Sequence, residues 1–142
     1  MESLLAAALI VVFGSLSCLH LYWAVGGRRA WHAAIPEVDG DLAFEPSRFA
    51  TLTVAAVLAA CAGVVAATAG FLSVPVSTNL LRSLAAGLAV ILALRAIGDF
   101  SLFGMFKQVE GTYFAEMDSL VYSPLCLVLA IGAVVIAMPP LA

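Results

Sequence analysis

The sequence predicts an all-α membrane protein, an antiparallel bundle of four transmembrane helices. Three observations carry the prediction. The 142 residues are 64% hydrophobic and 11% charged, with mean hydropathy +1.14; soluble domains are roughly 45–50% apolar and 25% charged. The apolar residues fall into four runs, at about 3–25, 49–72, 80–106 and 113–138. Each run reaches the roughly 20 residues that a helix needs to cross the hydrocarbon core of a bilayer. Charged residues, glycine and proline gather between the runs, leaving little chain for a separate soluble domain.

The first run ends at Gly26-Gly27, a helix-stop signal. A cleaved signal peptide is a poorer reading, because Glu2 stands where a basic segment belongs and the run is long and carries Trp23. The first connection holds Arg28, Arg29, Trp31, His32, Pro36, Glu37, Asp39, Asp41, Glu45 and Pro46, a mixture that reads as an ordered surface loop. Pro46 suits the first turn of the helix that follows. The second run is rich in Ala, Gly and Thr, small residues that let membrane helices approach closely, so it is expected to be the most tightly packed of the four. Ser77 or Thr78 is a candidate cap for the third run. The fourth run carries Pro124, which removes one helix hydrogen bond and predicts a kink near Leu120 with a carbonyl left free. Pro139-Pro140 should stop it.

A net charge of −3 with six basic residues leaves no footprint for nucleic acid. Cys18, Cys61 and Cys126 sit in apolar runs without C-x-x-C spacing, which argues for small buried hydrophobes rather than disulfides. No recognisable ligand spacing suggests a metal, and no motif suggests a cofactor. The connections 26–48 and 107–112 carry Arg28, Arg29, Arg48 and Lys107, against Arg82 alone on the other side. The excess of cations marks the cytoplasmic face, so these connections are expected inside the cell and both termini outside.

The polar residues within the runs are the candidate site. At about 1.5 Å rise per residue, His20, Arg95, Asp99, Asp118 and Tyr122 fall at one depth. Arg95 and Asp99 stand four residues apart, on one face of a continuous helix, and are expected to pair. Charges at such depth usually face a bundle interior. Tyr22, Trp23, Trp31, Phe44, Phe100 and other aromatics crowd the same half, and walls of a pocket explain that one-sidedness better than an interfacial belt. Asp118, His20 and Asp99 are the candidate acid–base groups, and Arg95, Tyr22, Trp23, Phe100 and Tyr122 the candidate substrate-binding groups. The bland readings are a structural Arg95–Asp99 pair, a first-turn acid at Asp118, a histidine bonded to a backbone carbonyl, and aromatic anchors at Tyr22 and Trp23.

The residues His20-Leu21-Tyr22-Trp23-Ala24, Arg95-Ala96-Ile97-Gly98-Asp99-Phe100, Phe106-Lys107, Thr112-x-Phe114-Ala115-x-x-Asp118 and Tyr122-Ser123-Pro124-Leu125-Cys126-Leu127 resemble, in combination, a family of small bacterial four-helix membrane proteins catalogued as domain of unknown function 3995. The resemblance implies the four-helix topology and the bacterial inner membrane, and brings no activity. From the residues themselves, the foremost expectation is a cofactor-independent enzyme. A carboxyl group in a low-dielectric aromatic pocket would do acid–base chemistry on an apolar lipid or isoprenoid-like small molecule. The alternative is a lipid-binding or sensing module, or a non-catalytic subunit of a membrane complex. A transporter ranks last, because four spans are few and no ring of charge is visible. A homo-oligomer or a membrane partner is left open.

Overall fold

A computed structural model describes residues 2–38 and 41–139; Asp39, Gly40 and Pro140, on which parts of the loop and helix-stop expectations fall, lie outside them. The chain is mostly helical. Four helices are long and apolar enough to cross a membrane: α1 (Glu2–Ala24), α3 (Arg48–Thr68), α4 (Thr78–Ile97) and the continuous stretch Tyr113–Ala137. That last stretch consists of α5 (Tyr113–Met117), a π-helical turn (Asp118–Tyr122) and α6 (Ser123–Ala137). The first connection is not a plain loop. It contains one short helix, α2 (Trp31–Ala34), and a two-stranded antiparallel ribbon of β1 (Glu37–Val38) and β2 (Asp41–Leu42), paired Glu37 to Leu42 and Val38 to Asp41.

The helix starts follow capping chemistry. Ser47, Ser77 and Thr112 each turn a side-chain oxygen onto the N–H three residues on, at Ala50, Leu80 and Ala115. Each bond satisfies one of the orphan donors of a first turn. Pro46 therefore stands just outside α3 rather than in its first turn. The α1 end is as expected: Gly26, at φ 102°, lets the Gly26 and Gly27 N–H groups bond back to the Trp23 and Tyr22 carbonyls.

The long helices associate mainly as two pairs of sequence neighbours, α1 with α3 and α4 with α6. Small residues make the close contacts: Ala6, Ala55, Ala85, Ala89, Ala130 and Ala133 are all buried. Around them Leu9, Phe13, Val65, Leu129 and Ile136 form the core. A buried Ser17 hydroxyl donates to the Ala55 carbonyl at 2.8 Å and ties the first pair. The expectation about tightness is corrected. The fourth span has the largest buried share, 33%, and α3 the smallest, 17%. Small residues permit close approach but also leave α3 little side chain to bury. Cys18 is exposed, and Cys61 and Cys126 are half-buried; all three are free thiols.

The third helix is shorter than the sequence suggested. It ends at Ile97, and the chain then folds back on it through a loop over residues 98–112. Gly98 (φ 95°) and Gly104 (φ 96°) make this possible. Their backbones touch: a side chain on Gly104 would lie 2.2 Å from Gly98 Cα, and one on Gly98 would lie 1.9 Å from the Phe103 carbonyl oxygen. The Met105 N–H reaches back to the Ala96 carbonyl at 2.8 Å, satisfying an orphan acceptor of the helix end.

Candidate functional site

Two centres emerge where the sequence suggested one, the first polar and the second largely apolar. The first is built on Asp118, which is wholly buried. Pro124 has no N–H to give, and the helix answers by widening into the π-helical turn just before it. The Ser123 N–H bonds to the Asp118 carbonyl five residues back, which stacks the Ser123 side chain over Asp118. Where the sequence suggested a kink near Leu120, the structure has this widened turn. Its consequence is a hydrogen bond from Ser123 Oγ to Asp118 Oδ2 at 3.2 Å.

Three further donors converge on the same carboxylate. Arg95 Nη2 donates to Oδ1 at 2.9 Å, the Gly104 N–H to Oδ2 at 2.7 Å, and Lys107 Nζ to Oδ2 at 3.3 Å. Lys107 is nearly as buried as its partner, at 4% exposure. Its other two protons go to Ser119 Oγ and the Gly104 carbonyl, at 2.6 and 3.2 Å, so all three ammonium donors are used. Arg95 lies with its guanidinium carbon 4.6 Å from the Phe103 ring centroid. That π-face is the nearest recompense for its Nη1, which is buried without a hydrogen-bond partner. A carboxylate held by four donors, two of them cations, is a structural acceptor that pins the 98–112 loop to the fourth span.

The expected Arg95–Asp99 pair is therefore corrected: Arg95 pairs with Asp118. The four-residue spacing counts only while the helix continues, and Gly98 ends it. Asp99 is exposed, and its Oδ1 accepts from the Ser101, Leu102 and Phe103 N–H groups at 2.9, 2.8 and 3.1 Å. Slight burial acts upward on this carboxyl, but the Ser101, Phe103 and Leu102 N–H groups together outweigh it and hold it below the ordinary carboxylate range. A depressed folded-state value stabilises above the unfolded value, and that contribution is lost as pH falls through the folded one. Protection factors of the Ser101, Leu102 and Phe103 amides, which discount the intrinsic slowing of exchange in acid, are expected to fall on acidification through that range, and at neutral pH in Asp99→Ala. Protection unchanged in both would mean that the carboxylate does not hold the loop. Phe100 is also outside any site. It sits exposed at φ 61°, stacked on Phe106 at 6.3 Å between centroids.

The second centre is a cavity of about 250 Å³ between α1, α3 and the first connection. Its walls include His20, Trp23, Trp31, Phe44, Thr51 and Val54. His20 packs edge-on against Trp23 at 4.9 Å, and Trp23 edge-on against Trp31 at 5.7 Å. Trp23 is pinned by its Nε1–H to the Arg29 carbonyl at 2.8 Å. His20 Nδ1 lies 2.8 Å from the Leu16 carbonyl. A carbonyl only accepts, so Nδ1 carries the proton and, in the neutral ring, Nε2 keeps its lone pair. Among the described residues that nitrogen makes no hydrogen bond, and it is not fully buried. It is an acceptor on a residue of a largely apolar wall.

The remaining candidates support these centres. Tyr22 lies across Gly27, whose missing side chain leaves room for the ring, and its hydroxyl accepts the Arg29 N–H at 3.4 Å. The Tyr122 hydroxyl donates to the Ala33 carbonyl at 3.0 Å and holds α2 against the fourth span. Thus Arg95 and Asp118 meet, Tyr122 joins them to the first connection, and His20 and Trp23 belong to a different cavity. The aromatics divide likewise: Trp23, Trp31 and Phe44 line the cavity, Phe44 from an exposed position at its rim, whereas Phe49, Phe106 and Tyr113 are exposed away from it. Gly104, Lys107, Ser123 and Thr51 were missed. Lys107 read as a loop cation, and Ser123 meets Asp118 only because of the π-helical turn. Among the described residues, no three His, Cys, Asp or Glu side chains converge as a metal-binding set.

A family model described as "Protein of unknown function (DUF3995)" matches residues 13–133. The chain belongs to the DUF3995 family. The matched stretch includes every residue of the Asp118 centre and of the aromatic cavity, so both lie within what the DUF3995 model covers. No curated protein and no solved structure matches this DUF3995 chain.

Proposed function

We propose that this chain is a multi-pass protein of the bacterial inner membrane, and that its aromatic cavity takes up an apolar small molecule or lipid. In this reading the four long helices cross as an antiparallel bundle, with both termini outside and the connections 26–48 and 107–112 cytoplasmic. The exposed Leu, Val, Ile and Phe side chains of all four helices suit a hydrocarbon solvent. The orientation rests on Arg28, Arg29 and Arg48; Lys107 adds little, because the Asp118 centre consumes its charge.

The observation that carries the binding reading is the cavity itself. It is concave, mostly apolar and walled by both of the chain's tryptophans, and its lining includes His20, whose Nε2 makes no hydrogen bond among the described residues. Pockets of this make-up are the usual form of small-molecule sites. A ligand with a long apolar body matches this lining. The catalytic alternative rests on the same atom: a neutral imidazole steadied at Nδ1 by a carbonyl is a proton acceptor at Nε2. Asp118 offers no matching acid, since both of its oxygens are engaged.

The test is native mass spectrometry of the gently purified protein, with lipid extraction. Wild type is expected to carry a small-molecule adduct that is lost in a Trp31→Ala, Phe44→Ala variant whose far-UV circular dichroism is unchanged. An adduct retained in that variant would move the ligand elsewhere.

A further inference from the structure

Next to the aromatic cavity lies a polar hollow of about 140 Å³ that shares Trp23, Trp31 and Pro46 with it. Arg28, Arg48 and Glu45 also line it, with Gly26 and Gly27. The Arg28 guanidinium carbon stands 5.6 Å from the Trp31 ring centroid, so a wall common to both hollows also steadies this cation. Arg48 is the first residue of α3, and no acid in that first turn answers its charge. A cation at a helix N-terminus also works against the helix dipole. Among the described residues the ion pairs are Arg95–Asp118 and Lys107–Asp118, both in the other centre. The hollow thus holds two guanidinium groups against one carboxylate, at the rim of an apolar pocket.

We propose that the cavity's ligand is a single-chain acidic amphiphile. Its phosphate or carboxylate head lies on Arg28 and Arg48, and its chain runs between Trp23, Trp31 and Phe44 toward His20. This rests on the binding reading above and names its ligand class. Guanidinium forks suit oxyanion heads because they donate paired, charge-assisted hydrogen bonds. The cavity's volume of about 250 Å³ falls just below the roughly 300–1,000 Å³ of drug-sized sites, so it takes one chain and not the two of a phospholipid.

Both tryptophans border both hollows, so their emission reports occupancy directly. The experiment uses the full chain in nanodiscs of zwitterionic lipid, titrated with decyl phosphate, 1-decanol and inorganic phosphate. Both decyl compounds are expected to change the emission, and decyl phosphate to half-saturate at about tenfold lower concentration or less, the gain from one or two charged hydrogen bonds. Arg28→Gln with Arg48→Gln should abolish that preference while leaving the 1-decanol curve in place. Arg82→Gln, in a separate hollow beside Glu2 and Thr68, should keep the preference. Equal midpoints for the two decyl compounds overturn the acidic head and leave the pocket standing. So does a preference that survives the double variant or is lost in Arg82→Gln. Inorganic phosphate acting at the midpoint of decyl phosphate overturns the amphiphile in favour of a free-anion site. Equal potency from a two-chain anionic phospholipid in the nanodisc overturns the single chain. No response to either decyl compound overturns the binding reading itself.

Discussion

Asp118→Ala is expected to cost about 3–5 kcal/mol of stability, the usual price of breaking a buried ion pair from one side. The substitution strands the nearly buried Lys107, leaves Arg95 with only the Phe103 ring, and frees the Gly104 N–H and Ser123 hydroxyl. Removing the cations with the anion should recover much of the loss, since a buried cluster replaced by apolar groups of similar size is often near neutral. The triple variant Asp118→Ala, Arg95→Leu, Lys107→Met should therefore unfold later than Asp118→Ala alone. Thermal unfolding in mild detergent, followed by circular dichroism, reads both. In a double-mutant cycle the coupling of Arg95 to Asp118 should exceed its coupling to Asp99. The reverse order would restore the helical pair and discard the Asp118 centre.

Gly104→Ala should cost more than about 3 kcal/mol. The left-handed backbone alone penalises a side chain by about 1–3 kcal/mol. The added carbon would also lie 2.2 Å from Gly98 Cα and 2.4 Å from the Ile97 carbonyl oxygen, which are backbone atoms that no rotamer change can move. Relief requires the two strands of the loop to part, and that withdraws the Gly104 N–H from Asp118. Two other glycines calibrate the effect. Gly111, at φ 77° with open space around it, should show the conformational strain alone on Gly111→Ala. Gly87, inside α4 with nothing near, should gain about 0.5–1 kcal/mol on Gly87→Ala from the lost flexibility of the unfolded chain. If Gly104→Ala and Gly111→Ala cost the same, the close crossing at Gly98 and Gly104 is not a real constraint.

The four long apolar helices were legible because their signals are local: run length, Gly26 at one end, Ser77 at the start of another. The depth argument also had value, since Arg95 and Asp118 do meet although 23 residues separate them. What failed was the assumption of a continuous helix through Gly98. Hydropathy does not register that break, because Phe100, Leu102, Phe103, Met105 and Phe106 keep the average high while the backbone turns back. The pairing of Arg95 with Asp99 was a consequence of that one assumption. The grouping of His20 with Asp118 failed for another reason. Depth fixes a level, whereas the direction in which a side chain leaves its helix depends on which neighbours pair, and no single sequence announces that α1 pairs with α3. The ribbon from Glu37 to Leu42 is too short for any alternation to be read.

The pairing of sequence neighbours also has a meaning in time. Residues that lie near one another along a chain meet early. Once α3 has emerged from synthesis, the first half owns all its main contacts, including the bond from Ser17 to Ala55, and can close before the third helix exists. The second half likewise contains its whole ion cluster, from Arg95 to Ser123. The contacts between the halves come last, and Tyr122 to Ala33 is among them. Because Ala33 belongs to the short helix that carries Trp31, the wall of the aromatic cavity gains its last tie only when the fourth long helix arrives. A growing chain thus keeps its pocket ajar until Tyr122 has been made.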